Sequence, residues 1–324
     1  MKHWIFAASL ALCLMLNGCA VQKLLEFVPD TIAAETVLPE ETTAHISLET
    51  EPEQTLPPET LAETTEPAAP ELPVLPEPES DAFVRITDYI RDLPVDLKYA
   101  SQDNFTGQVI YDFRDVYLRY GTVQKLLLVQ EELNSYGYGI KIWDGFRPVD
   151  AQFVLWQVCP DPTYVANPET GYSSHSRGNT VDLTLVDAEG REVEMPTGFD
   201  DFSSMADRDY SDCPAVEAEN ARLLQQIMEK YGFKGYYGEW WHFSDVQSYP
   251  VEEVFRPVDT KWYYADCEKY INLRIAADAS SESLIRIPAG EEFLLLAHCG
   301  DFALADYQGF RGYVHRGYIR PADE

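Results

Sequence analysis

Between residues 31 and 80 the chain carries twelve Glu and neither Lys nor Arg, set among Pro and Thr in low-complexity order, as in Glu51-Pro52-Glu53-Gln54-Thr55-Leu56-Pro57-Pro58. Such a segment cannot bury enough apolar area to offset its ordering entropy. Self-repelling charge and frequent Pro keep it extended. At ~3 Å per residue a polyproline-like chain of this length reaches on the order of 150 Å. Folding is thereby confined to residues from about 82 onward, where the composition turns mixed. The segment also supplies much of the net charge of −31, leaving −19 for the rest. That remainder still disfavours nucleic acid as a partner, because phosphate binding needs a basic surface.

The N-terminus has a different character. Met1-Lys2-His3 is a short basic start, and Trp4 to Leu16 is apolar but too short to span a bilayer as a stable helix. It ends in Leu16-Asn17-Gly18-Cys19, which resembles the bacterial lipoprotein signal, in which the Cys is lipidated and becomes the new N-terminus. The expectation is a leader over 1–18, a lipid anchor on Cys19, a tether over 19–80 and an extracytoplasmic, membrane-anchored location.

The rest of the 324 residues is long enough for two folded units. Residues 84–86, 140–143 and 180–186 read as strands, and residues 239–243 as a strand-like segment. Residues 123–133 and 215–231 read as helices, the second closed by Gly232. This is an α+β pattern, expected over 81–257. After Arg256-Pro257 the helical period disappears, and residues 259–324 read as an all-β unit, with strands at 270–274, 291–297, 302–307 and 312–314. Four cysteines fall in these units, Cys159 and Cys213 in the first, Cys267 and Cys299 in the second. In an exported chain they pair as Cys267–Cys299 and Cys159–Cys213, or else remain small buried hydrophobes.

Of six histidines, His3 lies in the leader, His45 in the tether, and His298 and His315 in the second unit, so only His175 and His242 remain for the first. Each sits in a dense polar motif, Ser173-Ser174-His175-Ser176-Arg177-Gly178-Asn179-Thr180-Val181-Asp182 and Glu239-Trp240-Trp241-His242. An Asp facing inward from an apolar strand is unfavourable unless it is paired or metal-bound. A Glu three residues before a His can reach a metal's water without ligating the metal. Either motif alone reads equally as a satisfied polar cluster. Together they supply the three ligands and the base that a zinc hydrolase needs, with none to spare.

These motifs resemble those of the zinc D,D-peptidases of bacterial walls. Longer stretches narrow the resemblance to the VanX-type D-Ala-D-Ala dipeptidases: Leu97-Lys98-Tyr99-Ala100 with Asp103-Asn104-Phe105-Thr106-Gly107, then Trp143-Asp144-Gly145-Phe146-Arg147-Pro148, then residues 175–185, 195–200 and 239–242. The resemblance implies a zinc D,D-peptidase fold with a central antiparallel sheet and one Zn2+ per chain on His175, Asp182 and His242. It implies Glu239 as general base, Arg147 as oxyanion donor, Tyr99 and Asp200 on the substrate's ammonium, and Ser174 on its backbone polar groups or carboxylate. The stretch from Gln157 to Gly171 is shorter than in that family, which bears on the pocket rim. Residues 259–324 resemble a bacterial SH3 domain, a small β-barrel, through Asn272-Leu273-Arg274, Ile287-Pro288-Ala289-Gly290-Glu291, Gly312-Tyr313-Val314 and Tyr318-Ile319. That implies peptidoglycan as a second partner. The activity implied is cleavage of D-Ala-D-Ala. The alternatives are a D,D-carboxypeptidase acting on wall peptides and a non-catalytic wall-binding lipoprotein with a structural zinc.

Overall fold

The computed structural model describes residues 77–323. The expected leader, Cys19 and most of the expected tether lie outside the described residues. No helix among the described residues is long and apolar enough to cross a membrane.

Strand β1 (Phe83–Arg85) pairs antiparallel with β2 (Tyr117–Arg119), which runs directly into helix α1 (Tyr120–Ser135). Val123, Leu126, Val129 and Leu133 are buried, the one-stripe spacing of an amphipathic helix. Strand β3 (Tyr138–Asp144), helix α2 (Val149–Val158) and strand β4 (Thr180–Asp187) follow. Helix α3 (Ala215–Lys230), whose chain turns out through Gly232 at φ +85°, leads to β5 (Phe233–Gly235) and β6 (His242–Asp245). The four strands make an antiparallel sheet in the order β3-β4-β6-β5. β4 lies inside it and is buried on both faces, which suits its β-branched content. This is the mixed, antiparallel architecture expected for the first unit.

Sequence reasoning missed several elements. α2 starts after Pro148 but presents no single stripe: Ala151 and Leu155 are buried while Phe153, Val154 and Val158 are exposed. β2 and β5 are three residues each, too short for a period to register.

The remaining strands are β7 (Phe255–Ala265), β8 (Tyr270–Arg274), β9 (Ser283–Pro288), β10 (Glu292–Cys299), β11 (Phe302–Tyr307), β12 (Phe310–His315) and β13 (Ile319–Pro321). They form one antiparallel sheet in the order β13-β7-β10-β11-β12-β8-β9. The expected small barrel is not closed: β9 pairs only with β8 and β13 only with β7, so both remain edges. The join expected at 257–259 falls inside β7, which begins at Phe255. Pro257 sits opposite Ala297 where the ladder slips by a bulge, the position at which a strand tolerates a residue without an N–H.

The C-terminal sheet is held to the β1–β2 pair and to the segment after β3 by a buried cluster of Phe83, Tyr117 and Phe146 with Phe255, Leu296, Ala297 and Leu304. Around it, Arg311 pairs with Asp88, and Arg114 with Asp259 at 3.0 Å.

The expected disulfides are absent, and all four cysteines are free. In the β7–β10 ladder Cys299 faces Phe255, whereas Cys267 lies beyond Tyr264, which is near Glu292 at the opposite end. The eight residues of β10 separate those ends by roughly 20 Å at about 3.3 Å per residue, far beyond the about 7 Å that a disulfide tolerates. The Cys213 thiol is engaged with the Met205 carbonyl at 3.6 Å, and burial pushes the Cys299 thiol up to about 12. Alkylation of the denatured, unreduced protein should therefore modify Cys159, Cys213, Cys267 and Cys299 alike. A linked peptide in the digest would contradict the free state.

Candidate metal centre

Three neighbouring strands carry the acidic and imidazole groups of the site. In the β3–β4 register Asp144 faces Asp182, and in the β4–β6 register Asp182 faces His242. Directly opposed residues in an antiparallel pair stand about 4.5–5.5 Å apart at Cβ, so the pairing alone brings these side chains together. His175 comes from a 3₁₀ turn (Ser174–Arg177) just before β4, where the Ser173 hydroxyl accepts from the His175 N–H. Gly178, at φ +75°, returns the chain to the strand, and a Cβ there would lie 2.4 Å from the Phe83 ring. Only glycine fits both demands. Glu239 sits in a turn that precedes β6; the strand starts at His242, later than the strand-like segment expected from Glu239. Arg208 braces that turn by donating to the carbonyls of Tyr236, Trp240 and His242.

The His175 Nδ1 lies 2.8 Å from the Gly145 carbonyl. A carbonyl only accepts, so Nδ1 carries the proton and Nε2 is left with its lone pair. Nε2 is 3.3 Å from Asp182 Oδ2 and 3.3 Å from His242 Nδ1, and His242 Nδ1 is 3.0 Å from Asp182 Oδ1. Two ligands about 2.1 Å from a shared tetrahedral centre stand about 3.4 Å apart, close to these separations. Asp182 Oδ1 is buried yet makes no hydrogen bond. The His175 lone pair, the His242 nitrogen and an unpartnered carboxylate oxygen together fit a cation, and among the described residues these three side chains are the one group gathered closely enough to hold a metal ion. Burial alone would raise the Asp182 pKa, but His175 and His242 outweigh it and hold the carboxyl well below its ordinary range.

Glu239 approaches from the side, with Oε2 at 3.6 Å from His242 Nδ1. Burial raises its pKa, against the opposing pull of His242. Ser174 Oγ lies 3.4 Å from His242 Nε2. Arg147 is anchored deeply. It donates to Asp144 through Nε (3.2 Å) and Nη2 (2.6 Å) and to Gln152 through Nη1 (2.9 Å), and the Tyr111 hydroxyl lies beside Nε. One N–H on each terminal nitrogen is left over from its five. Tyr99 donates to Asp200 at 3.1 Å, and burial, then the Asp200 charge, keeps the Tyr99 phenol protonated. Burial, followed by the Asp182 charge, pushes the Asp200 carboxyl well above its usual range.

All eight residues singled out from the sequence, Tyr99, Arg147, Ser174, His175, Asp182, Asp200, Glu239 and His242, line one cavity of about 240 Å³. The residues missed are those behind them. Asp144, Tyr111 and Gln152 orient Arg147, and Arg208 holds the Glu239 turn. Asp144 carried a legible signal, a carboxylate ending an apolar strand, the same signal that marks Asp182. Pro162, Thr163, Tyr164, Val165 and Ala166, from the shortened stretch, form one wall, and Tyr164 stacks on Phe202 at 4.5 Å. Trp241 lines the cavity while Trp240 is core.

Residues 79–260 match the model of peptidase family M15, described as D-ala-D-ala dipeptidase. The D-alanyl-D-alanine dipeptidase of Escherichia coli strain K12 is 40% identical over 162 residues, covering 49% of this chain and 83% of that protein. Those of Enterococcus faecalis strain V583 and Enterococcus faecium are each 34% identical, over 192 and 181 residues, covering 52% and 50% of this chain and 95% and 90% of theirs.

Metal analysis of the purified chain should find about one divalent ion per molecule, the number that a single three-ligand site holds. His175→Ala and His242→Ala should each lose it while keeping their circular dichroism. Full occupancy in both variants would remove these residues from the site.

Proposed function

Because the chain belongs to the M15 family of D-Ala-D-Ala dipeptidases, we propose that it hydrolyses D-Ala-D-Ala to two D-alanines with zinc held by His175, Asp182 and His242. One observation carries the reading. The orphaned Asp182 oxygen faces two imidazole nitrogens in a cavity that also holds a free carboxylate, an anchored guanidinium and a second acidic subsite. Zinc bound there supplies a Lewis acid that polarises a carbonyl and activates water near neutral pH.

The chain's own residues do the rest. Glu239 ligates nothing in this arrangement, so its carboxylate takes the proton from water and returns it to the leaving amine. Its burial-raised pKa places it closer to the operating range of a proton shuttle than an exposed Glu. Arg147 directs its two spare N–H groups at the oxyanion as charge develops, a contribution of roughly 3 kcal/mol when one such donor is lost. Asp144 keeps that guanidinium from reorienting, so the donor is in place before the substrate arrives.

The far end of the cavity suits a free ammonium. Asp200 is half-buried with only the Tyr99 hydroxyl as a side-chain partner, and an incoming ammonium would favour its ionised form. The Ser174 hydroxyl is placed for the substrate's backbone polar groups or carboxylate. The volume is below the roughly 300–1,000 Å³ of pockets that take drug-sized ligands, which supports a dipeptide over a long wall peptide. Cys19 as a lipid anchor, an extracytoplasmic location, and peptidoglycan contact through the C-terminal sheet as an SH3-like module belong to the same proposal. The lipoprotein-like leader and the SH3-like motifs support them.

Two measurements test the reading. Glu239→Ala should keep its metal and fold while kcat falls by about 10²–10⁴ or more; near wild-type turnover would take Glu239 out of the mechanism. N-acetyl-D-Ala-D-Ala and a pentapeptide offer Asp200 no ammonium and forgo a charge-assisted hydrogen bond of about 1.5–3 kcal/mol, roughly ten- to a hundredfold in kcat/KM. Both should be cleaved far more slowly than D-Ala-D-Ala, and Asp200→Ala should narrow the gap. Equal kcat/KM on dipeptide and pentapeptide would promote the carboxypeptidase alternative.

A further inference from the structure

The segment Gly145-Phe146-Arg147 carries two parts of the site at once. The Gly145 carbonyl sets the His175 tautomer, and Arg147 lines the cavity. Between them Phe146 points the other way, into the aromatic cluster that holds the C-terminal sheet. Its ring centroid is 4.6 Å from Phe83 and 5.6 Å from Phe255, and Phe83 stacks on Phe255 at 4.3 Å. The cluster is completed by Leu296 and Ala297 of β10 and Leu304 of β11.

The backbone follows the same route. The Tyr117 hydroxyl donates to the Leu296 carbonyl at 3.2 Å, and the Tyr117 carbonyl accepts from the Phe146 N–H at 3.0 Å. Gly145 leaves no slack, because a Cβ there would lie 2.6 Å from Val116. The His175 turn is clasped from the same side. Phe83 presses on Gly178, and Arg119, lying over the Phe83 ring at 4.0 Å, donates to the Arg177 carbonyl. The Glu252 N–H donates to the Ser176 carbonyl, while its carboxylate accepts from the Phe255 N–H at the start of β7.

We infer that the C-terminal sheet is a structural part of the catalytic centre, with Leu296 and Leu304 acting as positioning residues that hold Gly145, Arg147 and the His175 turn in register. Packed interiors transmit a displaced ring to its neighbours because they contain little free volume. A partner that orients a ligand from behind typically changes metal affinity or activity by about 10–100-fold when removed. The Tyr99–Asp200 end of the cavity shares no residue with the cluster and meets the positioned segment through Arg147, whose guanidinium lies over the Tyr99 ring at 4.9 Å, so ground-state grip on the ammonium is disturbed less than the His175 turn and the Arg147 donor.

The inference rests on the proposed roles of His175 and Arg147, and its test separates the two. In the full chain, Leu296→Ala should lower kcat on D-Ala-D-Ala by about 10–100-fold, with KM little changed. Its zinc dissociation constant, measured by chelator competition without substrate, should rise in parallel. Leu296→Met, which refills the space, should restore both readouts, and Arg114→Ala, which cuts only an exposed ion pair at the same junction, should change neither. Should Leu296→Ala not fold, Leu304→Ala and Tyr117→Phe remove less of the contact and should shift the same two readouts in the same direction. Folded variants with kcat and zinc affinity indistinguishable from the parent would reduce the sheet to an appended module and overturn the inference. An inactive parent would count against the proposed hydrolysis instead, leaving the zinc affinities to decide the inference.

Discussion

A carboxylate 3% exposed on an inner strand, between two imidazoles, is the interaction on which this site is built. Asp182 is almost wholly removed from bulk solvent, so β4 tolerates it only because β6 delivers His242 directly opposite and the preceding turn delivers His175. A slip of one residue in either ladder would send Asp182 to the other face of the sheet. The β4–β6 register and the turn before β4 would thus also set the coordination geometry of a metal held there, and the two could not vary independently.

A second buried carboxylate repeats the theme at lower charge density. Asp144 is fully buried and survives through Arg147, Tyr111 and the Gly145 N–H. The cavity therefore sets three acids that line it, Asp182, Asp200 and Glu239, against one permanent cation. Burial, with a smaller contribution from the neighbouring acids, moves the Asp200 and Glu239 carboxyls upward, while the flanking histidines outweigh burial at Asp182 and move it down. Carboxyl groups of one chemical kind are thus given three different proton affinities by burial and by their immediate neighbours, which is what the proposed roles of ligand, base and cation receptor require.

His175, Asp182, Glu239 and His242 were legible because they lie in dense polar motifs and elimination left only two histidines for the first unit, whereas Tyr99, Arg147, Ser174 and Asp200 were legible only through the family resemblance. The long helices were legible from Val123, Leu126, Val129 and Leu133 and from the closing Gly232. Asp144 was quoted with its motif but given no task, since three-residue spacing to Arg147 does not by itself say that the two pair, and its other partner, Tyr111, is 33 residues away. The extent of β7 was hidden by Pro257, which reads as a boundary until the bulge opposite Ala297 is seen. The cysteine pairing failed for a similar reason: two per unit is a fact about counting, whereas pairing depends on which end of a ladder each occupies. The barrel expectation rested on motifs that specify strands and turns, and those do occur. Closure depends on pairing between the outermost strands, which no short motif encodes.

The two open edges of the C-terminal sheet carry their own safeguard. An unpaired strand is a template on which another molecule can add a strand of its own, and long, flat, apolar edges are the most dangerous. β13 is three residues long, includes Arg320 and ends in Pro321, while β9 includes the exposed Arg286 and ends in Pro288. Short length, charge and proline at the strand ends deprive an incoming chain of a continuous row of donors. A sheet with edges of this kind can stay incomplete without polymerising through them.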